Sequence, residues 1–225
     1  MRWLQLDPES VVQRVRTNGG GKPPSLGESL LRGVFGFTVV SVAGFAPWAV
    51  GGAWLYERIG EAGLYGVCAL VFIAASGLFM HRLIIGPGSL SRFYLLFAPS
   101  FALYSVAWIA AWMLIKGHPG SIVGLLAGTA LMGGMFAWAF DAKREIPKII
   151  AVLFLLNAFG YFAGGILDAG FARLEGLPFP QTTQLIIAKS LWGVCYGVGF
   201  GAGLGLAFHL CQTRTRSLLQ TQMTI

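Results

Sequence analysis

LWGVCYGVGFGAGLGLAFHL, residues 191–210, is the stretch that decides the fold of this chain. Glycine recurs every fourth residue, so on a helix one face would carry no side chains: Gly193, Gly197, Gly201 and Gly205. In water each interior glycine would cost a helix about 1 kcal/mol relative to alanine. In a bilayer the backbone finds no water, so the helix forms regardless, and a second helix can approach the glycine face closely. The stretch therefore predicts a membrane-spanning helix around which a bundle packs.

The composition of the whole chain indicates the same class. Of 225 residues, 56% are hydrophobic and 11% are charged, whereas soluble domains contain about 25% charged residues. The net charge of +7 lies in short connections between apolar runs, which is typical of a membrane protein and not of a nucleic-acid-binding surface. We therefore expect an all-α, multi-pass membrane protein that contacts the lipid bilayer and binds no nucleic acid.

Six apolar runs each approach the roughly 20 residues that cross a hydrocarbon core of about 30 Å. They lie near residues 33–56, 62–80, 92–115, 119–140, 147–167 and 186–210. The chain would then have three parts: a cytoplasmic leader over residues 1–32, a six-helix transmembrane domain over 33–211 and a short cytoplasmic tail over 212–225.

The sequence of the leader predicts a short amphipathic helix that begins near Pro8. Asp7 followed by Pro8 is a favourable helix start, because aspartate caps free backbone amides and proline fits the first turn. Val11, Val12 and Val15 would then share one side. We expect this helix to lie at the membrane interface.

The charges of the connections predict the orientation. If the N-terminus is cytoplasmic, twelve of the sixteen Lys and Arg residues fall on the cytoplasmic side. The four on the opposite side are Arg58, Lys116, Arg173 and Lys189. Because cytoplasmic connections carry the excess of positive charge, we expect both termini to be cytoplasmic, in a bacterial cytoplasmic (inner) membrane.

Small residues form faces on other runs as well. The fourth run has Gly120, Gly124 and Gly128, and the fifth has Gly160 and Gly164. We expect the fourth, fifth and sixth runs to pack closely. The third run has no glycine and instead carries an aromatic face that we expect to pack against helices or lipid: Phe97, Phe101, Tyr104, Trp108 and Trp112.

Residues suited to catalysis are few. No apolar run has a carboxylate near its centre, although ionisable groups inside the membrane mark most ion and proton pathways. The sequence contains no zinc-protease helix motif and no phosphate-binding glycine loop, so an enzyme is not favoured. Cys68, Cys195 and Cys211 have neither disulfide nor metal-ligand spacing, and we interpret them as packed apolar residues.

Two sets of polar residues are candidate contact sites. At the cytoplasmic ends of the runs, His81, Arg82, Arg92 and His209 could contact anionic lipid headgroups or another ligand. The two histidines could also be axial ligands of haem, or contact a pigment. A sparse polar path through the bundle would use five residues: Ser76, Ser105, Thr129, Asn157 and Tyr161.

Three functional classes follow. The preferred one is a non-catalytic subunit or assembly component of a larger membrane complex, because the glycine faces suit contact with other integral membrane proteins or with a second copy. The second is a small-solute channel or transporter that uses the polar path. The third is a haem- or pigment-binding membrane protein that uses His81 and His209.

Overall fold

The computed structural model describes residues 4–19 and 22–223. Arg2 of the leader, the pair at residues 20–21 and the last two residues of the tail lie outside this description. The predicted all-α class is confirmed, since the described residues form seven α-helices: α1 Pro8–Asn18, α2 Leu26–Met80, α3 Ser89–Ile115, α4 Gly117–Ala139, α5 Ile146–Phe171, α6 Gln181–Cys211 and α7 Thr213–Met223.

Five of these helices, α2 to α6, are long and apolar enough to cross a membrane. Their outward surface is rich in large apolar side chains, among them Phe35, Leu114 and Ile166. Such a belt suits contact with lipid. The chain is therefore a multi-pass membrane protein by the length and composition of its helices.

Helix α2 joins the first two predicted runs without a loop. It is broken at Gly60, whose φ of 69° and ψ of 179° are not helical and are open mainly to glycine. The halves before and after the break contact each other, since a β-carbon on Gly36 would lie 3.1 Å from the carbonyl oxygen of Phe79 and one on Gly44 would overlap the Phe72 ring. These contacts make the two halves antiparallel.

The glycine face of α6 lies against the first half of α2. A β-carbon built on Gly197 would lie 2.6 Å from Thr38 Cα, and one on Gly201 would overlap the carbonyl oxygen of Gly33. Gly205 contacts the start of α2 in the same way. The two backbones touch, so the face that the sequence offers to a partner is covered within the chain.

The glycine faces of α4 and α5 also lie at close helix contacts. In α5, a β-carbon on Gly160 would lie 2.6 Å from the carbonyl oxygen of Cys195 in α6. The face of α4, expected against α5 and α6, lies instead against α3: a β-carbon on Gly124 would lie 2.9 Å from Trp108 Cα. Gly120 and Gly128 also contact α3. The glycines of α4 allow its backbone to approach the bulky helix α3 closely, which accounts for the difference.

Helices α1 and α7 pack together beside the short turn His81–Leu83. Val11 and Val12 are buried with Ile85 and Leu219. The apolar side of α1 therefore contacts protein, although α1 does begin at Pro8 with Asp7 accepting a hydrogen bond from the Ser10 amide at 3.0 Å.

The bundle has two ends, named here after a residue at each. At the Arg82 end, Arg32 donates a hydrogen bond to the Arg82 carbonyl oxygen at 3.0 Å, and α1, α7 and the start of α3 lie nearby. At the Glu61 end, the Glu61 carboxylate pairs with Lys116 at 3.0 Å. The break in α2 and the junction of α3 with α4 thus meet at the Glu61 end.

Candidate functional site

A cavity of about 290 Å³ lies between both halves of α2 and helices α3, α5 and α6, in the half of the bundle toward the Glu61 end. Sixteen residues line it, and five of these are small or aliphatic: Gly44, Cys68, Ala69, Ser105 and Ile109. The other eleven are aromatic: Phe45, Trp48, Tyr65, Phe72, Phe101, Tyr104, Trp108, Trp112, Tyr161, Trp192 and Tyr196. Such a mainly apolar concavity with a few polar groups is the usual form of a small-molecule site.

Helical spacing concentrates the rings. On α3, Phe101, Tyr104, Trp108 and Trp112 recur at steps of three or four residues, so they share one face. This is the aromatic face of the sequence, and the structure turns much of it toward the cavity. Trp108 and Trp112 lie parallel, with ring centroids 6.0 Å apart.

A chain of hydrogen bonds closes the inner end of the cavity. The hydroxyl oxygens of Tyr104 and Tyr196 lie 3.0 Å apart, and the Asn157 side-chain amide donates to the Tyr104 hydroxyl at 2.9 Å. Asn157 is fully buried, and its Oδ1 has no hydrogen-bond partner in the described part of the chain. Buried polar groups are normally satisfied, so this chain is the distinctive polar feature of the bundle's middle.

Glu61 organises the opposite end of the cavity. Its carboxylate accepts hydrogen bonds from the Trp112 indole at 2.8 Å and from the Tyr65 hydroxyl at 3.4 Å, while Lys116 pairs with it. Both rings line the cavity. An exposed ion pair contributes little stability by itself, so the consequence of this arrangement is positional: one carboxylate holds two lining rings beside the break at Gly60.

Lysines lie over two of the lining tryptophans. Lys189 Nζ is 4.7 Å from the centroid of the Trp48 ring, and Lys116 Nζ is 5.8 Å from that of Trp112. Neither lysine lines the cavity. Both distances fall within the range over which a ring face attracts a cation.

The structure brings together three of the five residues of the predicted polar path. Ser105 and Tyr161 line the cavity, and Asn157 joins it through its bond to Tyr104. Ser76 and Thr129 are buried elsewhere and donate to carbonyl oxygens of their own helices, at 2.8 Å and 2.7 Å. The polar residues thus form one local group beside the cavity.

The two histidines proposed as haem ligands each have a local contact. His81 donates from Nδ1 to the carbonyl oxygen of Gly77 at 2.9 Å. His209 Nδ1 lies 3.5 Å from the Ser29 hydroxyl. Both contacts use Nδ1, and the described residues show no bond between the two imidazoles. His81 directly precedes Arg82, and His209 contacts Ser29 near the start of α2. Both histidines therefore lie at the Arg82 end, apart from the aromatic cavity.

The two arginines of the same candidate set have different surroundings. Arg82 is exposed and contributes its carbonyl oxygen to the contact with Arg32. Arg92 donates to the carbonyl oxygen of Gly88 at 2.9 Å and to the Gln5 side chain at 3.4 Å. The leader residue Arg14 donates to the Gln5 backbone at 3.0 Å, and burial together with the Arg92 charge lowers the pKa of Arg14. Two guanidinium groups thus share one glutamine.

Sequence reasoning did not assign Trp48, Tyr65, Trp192 or Tyr196 to a site. A usable signal was present, because each is an aromatic residue placed between the middle and the Glu61 end of its run. The role of Glu61 was also missed, since the sequence shows only a carboxylate at the end of an apolar run.

Within the described residues no group of three His, Cys, Asp or Glu side chains could hold a metal ion. Known proteins offer no further guide, since no family model, no curated protein and no solved structure matches this chain.

Proposed function

We propose that this protein binds a small, mainly apolar molecule inside the bundle, as the substrate site of a small-solute carrier. This is the second functional class that the sequence raises. The observation that supports it is the cavity, in which eleven of sixteen lining residues are aromatic and the group Asn157, Tyr104 and Tyr196 provides hydrogen-bonding atoms at one end.

The volume sets the size of the molecule. At the roughly 30 Å³ that a water molecule occupies in the liquid, a cavity of about 290 Å³ corresponds to about ten non-hydrogen atoms. tert-Butylbenzene has that size and is apolar, so it serves as a first probe.

Filling the cavity is expected to abolish binding of tert-butylbenzene. Ser105→Phe places a ring in the cavity, whereas Val106→Phe changes the next residue of α3, which is 64% exposed on the outer surface. The probe should raise the melting temperature of the natural protein and of Val106→Phe, because a ligand at 100 times its Kd stabilises the folded state by about 2.7 kcal/mol. Tryptophan fluorescence should change as well, since four tryptophans line the cavity. An equal response from Ser105→Phe would contradict the proposal.

We also propose six membrane crossings with both termini in the cytoplasm of a bacterial cell. The antiparallel halves of α2 support two crossings within that helix. Charge supports the orientation: among the described residues the Arg82 end has eleven Lys and Arg against five Asp and Glu, and the Glu61 end has four against four. The positive end is the one expected in the cytoplasm, where Arg82 and Arg92 would face anionic headgroups.

Cysteine labelling in intact cells tests this orientation. In a chain whose three native cysteines are replaced by alanine, Lys116→Cys should react with a membrane-impermeant maleimide. Arg144→Cys, at the opposite end, should react only after the cells are opened. Labelling of Arg144→Cys alone would reverse the orientation, and labelling of both would contradict the crossing by α4, which lies between the two positions.

The other two functional classes have less support from the structure. The glycine faces that favoured a subunit of a larger complex lie against α2, α3 and α6 of the same chain. The haem or pigment hypothesis stays a prediction that an absorbance spectrum of the purified protein would test. Native mass spectrometry of the protein from its own membrane would weigh any partner or cofactor directly.

A further inference from the structure

We infer that the ligand of the aromatic cavity is an organic cation, an ammonium group that carries an apolar or aromatic body. The ring faces would hold the cation, and the Glu61 carboxylate would balance its charge. This inference rests on the proposed function, because it names the chemical class that the same cavity takes.

The lining itself favours a positive charge. Four tryptophans and four tyrosines contribute to it, and none of the sixteen lining residues is Lys, Arg or His. The face of an aromatic ring carries negative electrostatic potential, and cages of such rings are the recurrent protein site for quaternary ammonium groups. A cation that enters this cavity meets aromatic rings and no like charge among the lining residues.

The lysines at the Glu61 end show that the same rings already attract cations. Lys189 and Lys116 lie over Trp48 and Trp112, at 4.7 Å and 5.8 Å from the ring centroids. Neither lysine belongs to the lining, so the cations that now contact these two rings do so from outside the cavity.

Glu61 provides the opposite charge next to the rings. It is hydrogen-bonded to Tyr65 and Trp112, both in the lining. The cation now paired with it is Lys116, whose side chain is 54% exposed. An exposed lysine pair is weak, so an ammonium group among the rings can compete with Lys116 for the negative charge of Glu61. A neutral ligand would use the rings that Glu61 positions but would not need its negative charge, and glutamine keeps an acceptor oxygen for both rings.

Two probes of the same shape separate these alternatives. Phenyltrimethylammonium and tert-butylbenzene both have ten non-hydrogen atoms and differ by one positive charge. In an uncharged detergent, tryptophan fluorescence titration should show that the cation binds the natural protein at least about 10-fold more tightly. Glu61→Gln should weaken the cation about 10-fold and leave tert-butylbenzene unchanged. Glu175→Gln, an exposed carboxylate in the connection between α5 and α6, should change neither.

Lys116→Gln distinguishes a charge-balancing Glu61 from one that only supports the fold. It removes the competing cation and frees the carboxylate, so phenyltrimethylammonium should bind several-fold more tightly. If Glu61 merely tied α2 to α3, the same substitution would weaken binding of both probes.

The remaining outcomes are equally informative. Equal affinities for the two probes, with no effect of Glu61→Gln, would overturn the cation inference and leave the proposed binding function intact. Absence of binding by both probes would overturn both. Cation binding that persists in Ser105→Phe would place the site elsewhere and refute the inference.

Discussion

Gly201→Leu is expected to abolish the folded bundle. A β-carbon at this position already overlaps the carbonyl oxygen of Gly33, and backbone cannot move aside as a flexible side chain can. Inserted core atoms commonly cost about 1–3 kcal/mol, and more where the neighbour is rigid. The leucine side chain would force α6 away from α2. The separation would extend along the whole contact, which also includes Gly197 and Gly205. The measurements are the yield of monodisperse protein in detergent and its melting curve.

Gly134→Leu is the matched control. Gly134 is also a helical glycine, in α4, but a β-carbon there would meet no atom within 4 Å. This substitution should leave the melting temperature unchanged or raise it, because leucine is a better helix former than glycine by about 1 kcal/mol. An unchanged melting curve for Gly201→Leu would refute the close contact of α6 with α2.

Tyr104→Phe is expected to destabilise the bundle by about 2–4 kcal/mol. The change removes the hydroxyl to which Asn157 donates and which Tyr196 contacts. Both partners are buried, and each buried polar group without a partner costs about 1–3 kcal/mol. The unfolding midpoint in mixed micelles measures the loss. Tyr56→Phe, at an exposed position, should have no effect.

Adding Asn157→Leu to Tyr104→Phe should restore about 1 kcal/mol or more, because the second change removes the amide that the first leaves without a partner. Alone, Asn157→Leu should be nearly neutral, since Tyr104 and Tyr196 can still bond each other. A double variant less stable than Tyr104→Phe would show that the Asn157 amide does not depend on Tyr104.

The presence of long apolar helices was the most predictable property of this chain. Runs of apolar residues need no tertiary information, because a bilayer enforces hydrogen bonding within each segment. The glycine spacing of α6 likewise predicted a close helix contact, and its location against Thr38 and Gly33 required the structure. Nothing in the sequence distinguished an internal contact from one with a second protein.

The cavity was less predictable, because it is the space that the side chains of α2, α3, α5 and α6 leave unfilled between them. The aromatic face of α3 was visible as periodicity, but a packed face and a cavity-lining face have the same spacing. The contact of Glu61 with Trp112 joins residues 51 positions apart, and its formation depends on the turn at Gly60. Hydropathy contains no information on such a pairing.

The turn at Gly60 constrains how the length of this protein can vary. One residue outside helical geometry reverses the chain there, so an inserted residue would rotate the following half of α2 by about 100° and advance it by 1.5 Å. Phe72 would then no longer face Gly44. The connection between α5 and α6, residues 172–180, is not helical, so an insertion after Leu174, whose carbonyl oxygen accepts from Gln184, would rotate neither helix. Insertions, deletions and fused tags should therefore be tolerated in that connection and rejected at the break in α2.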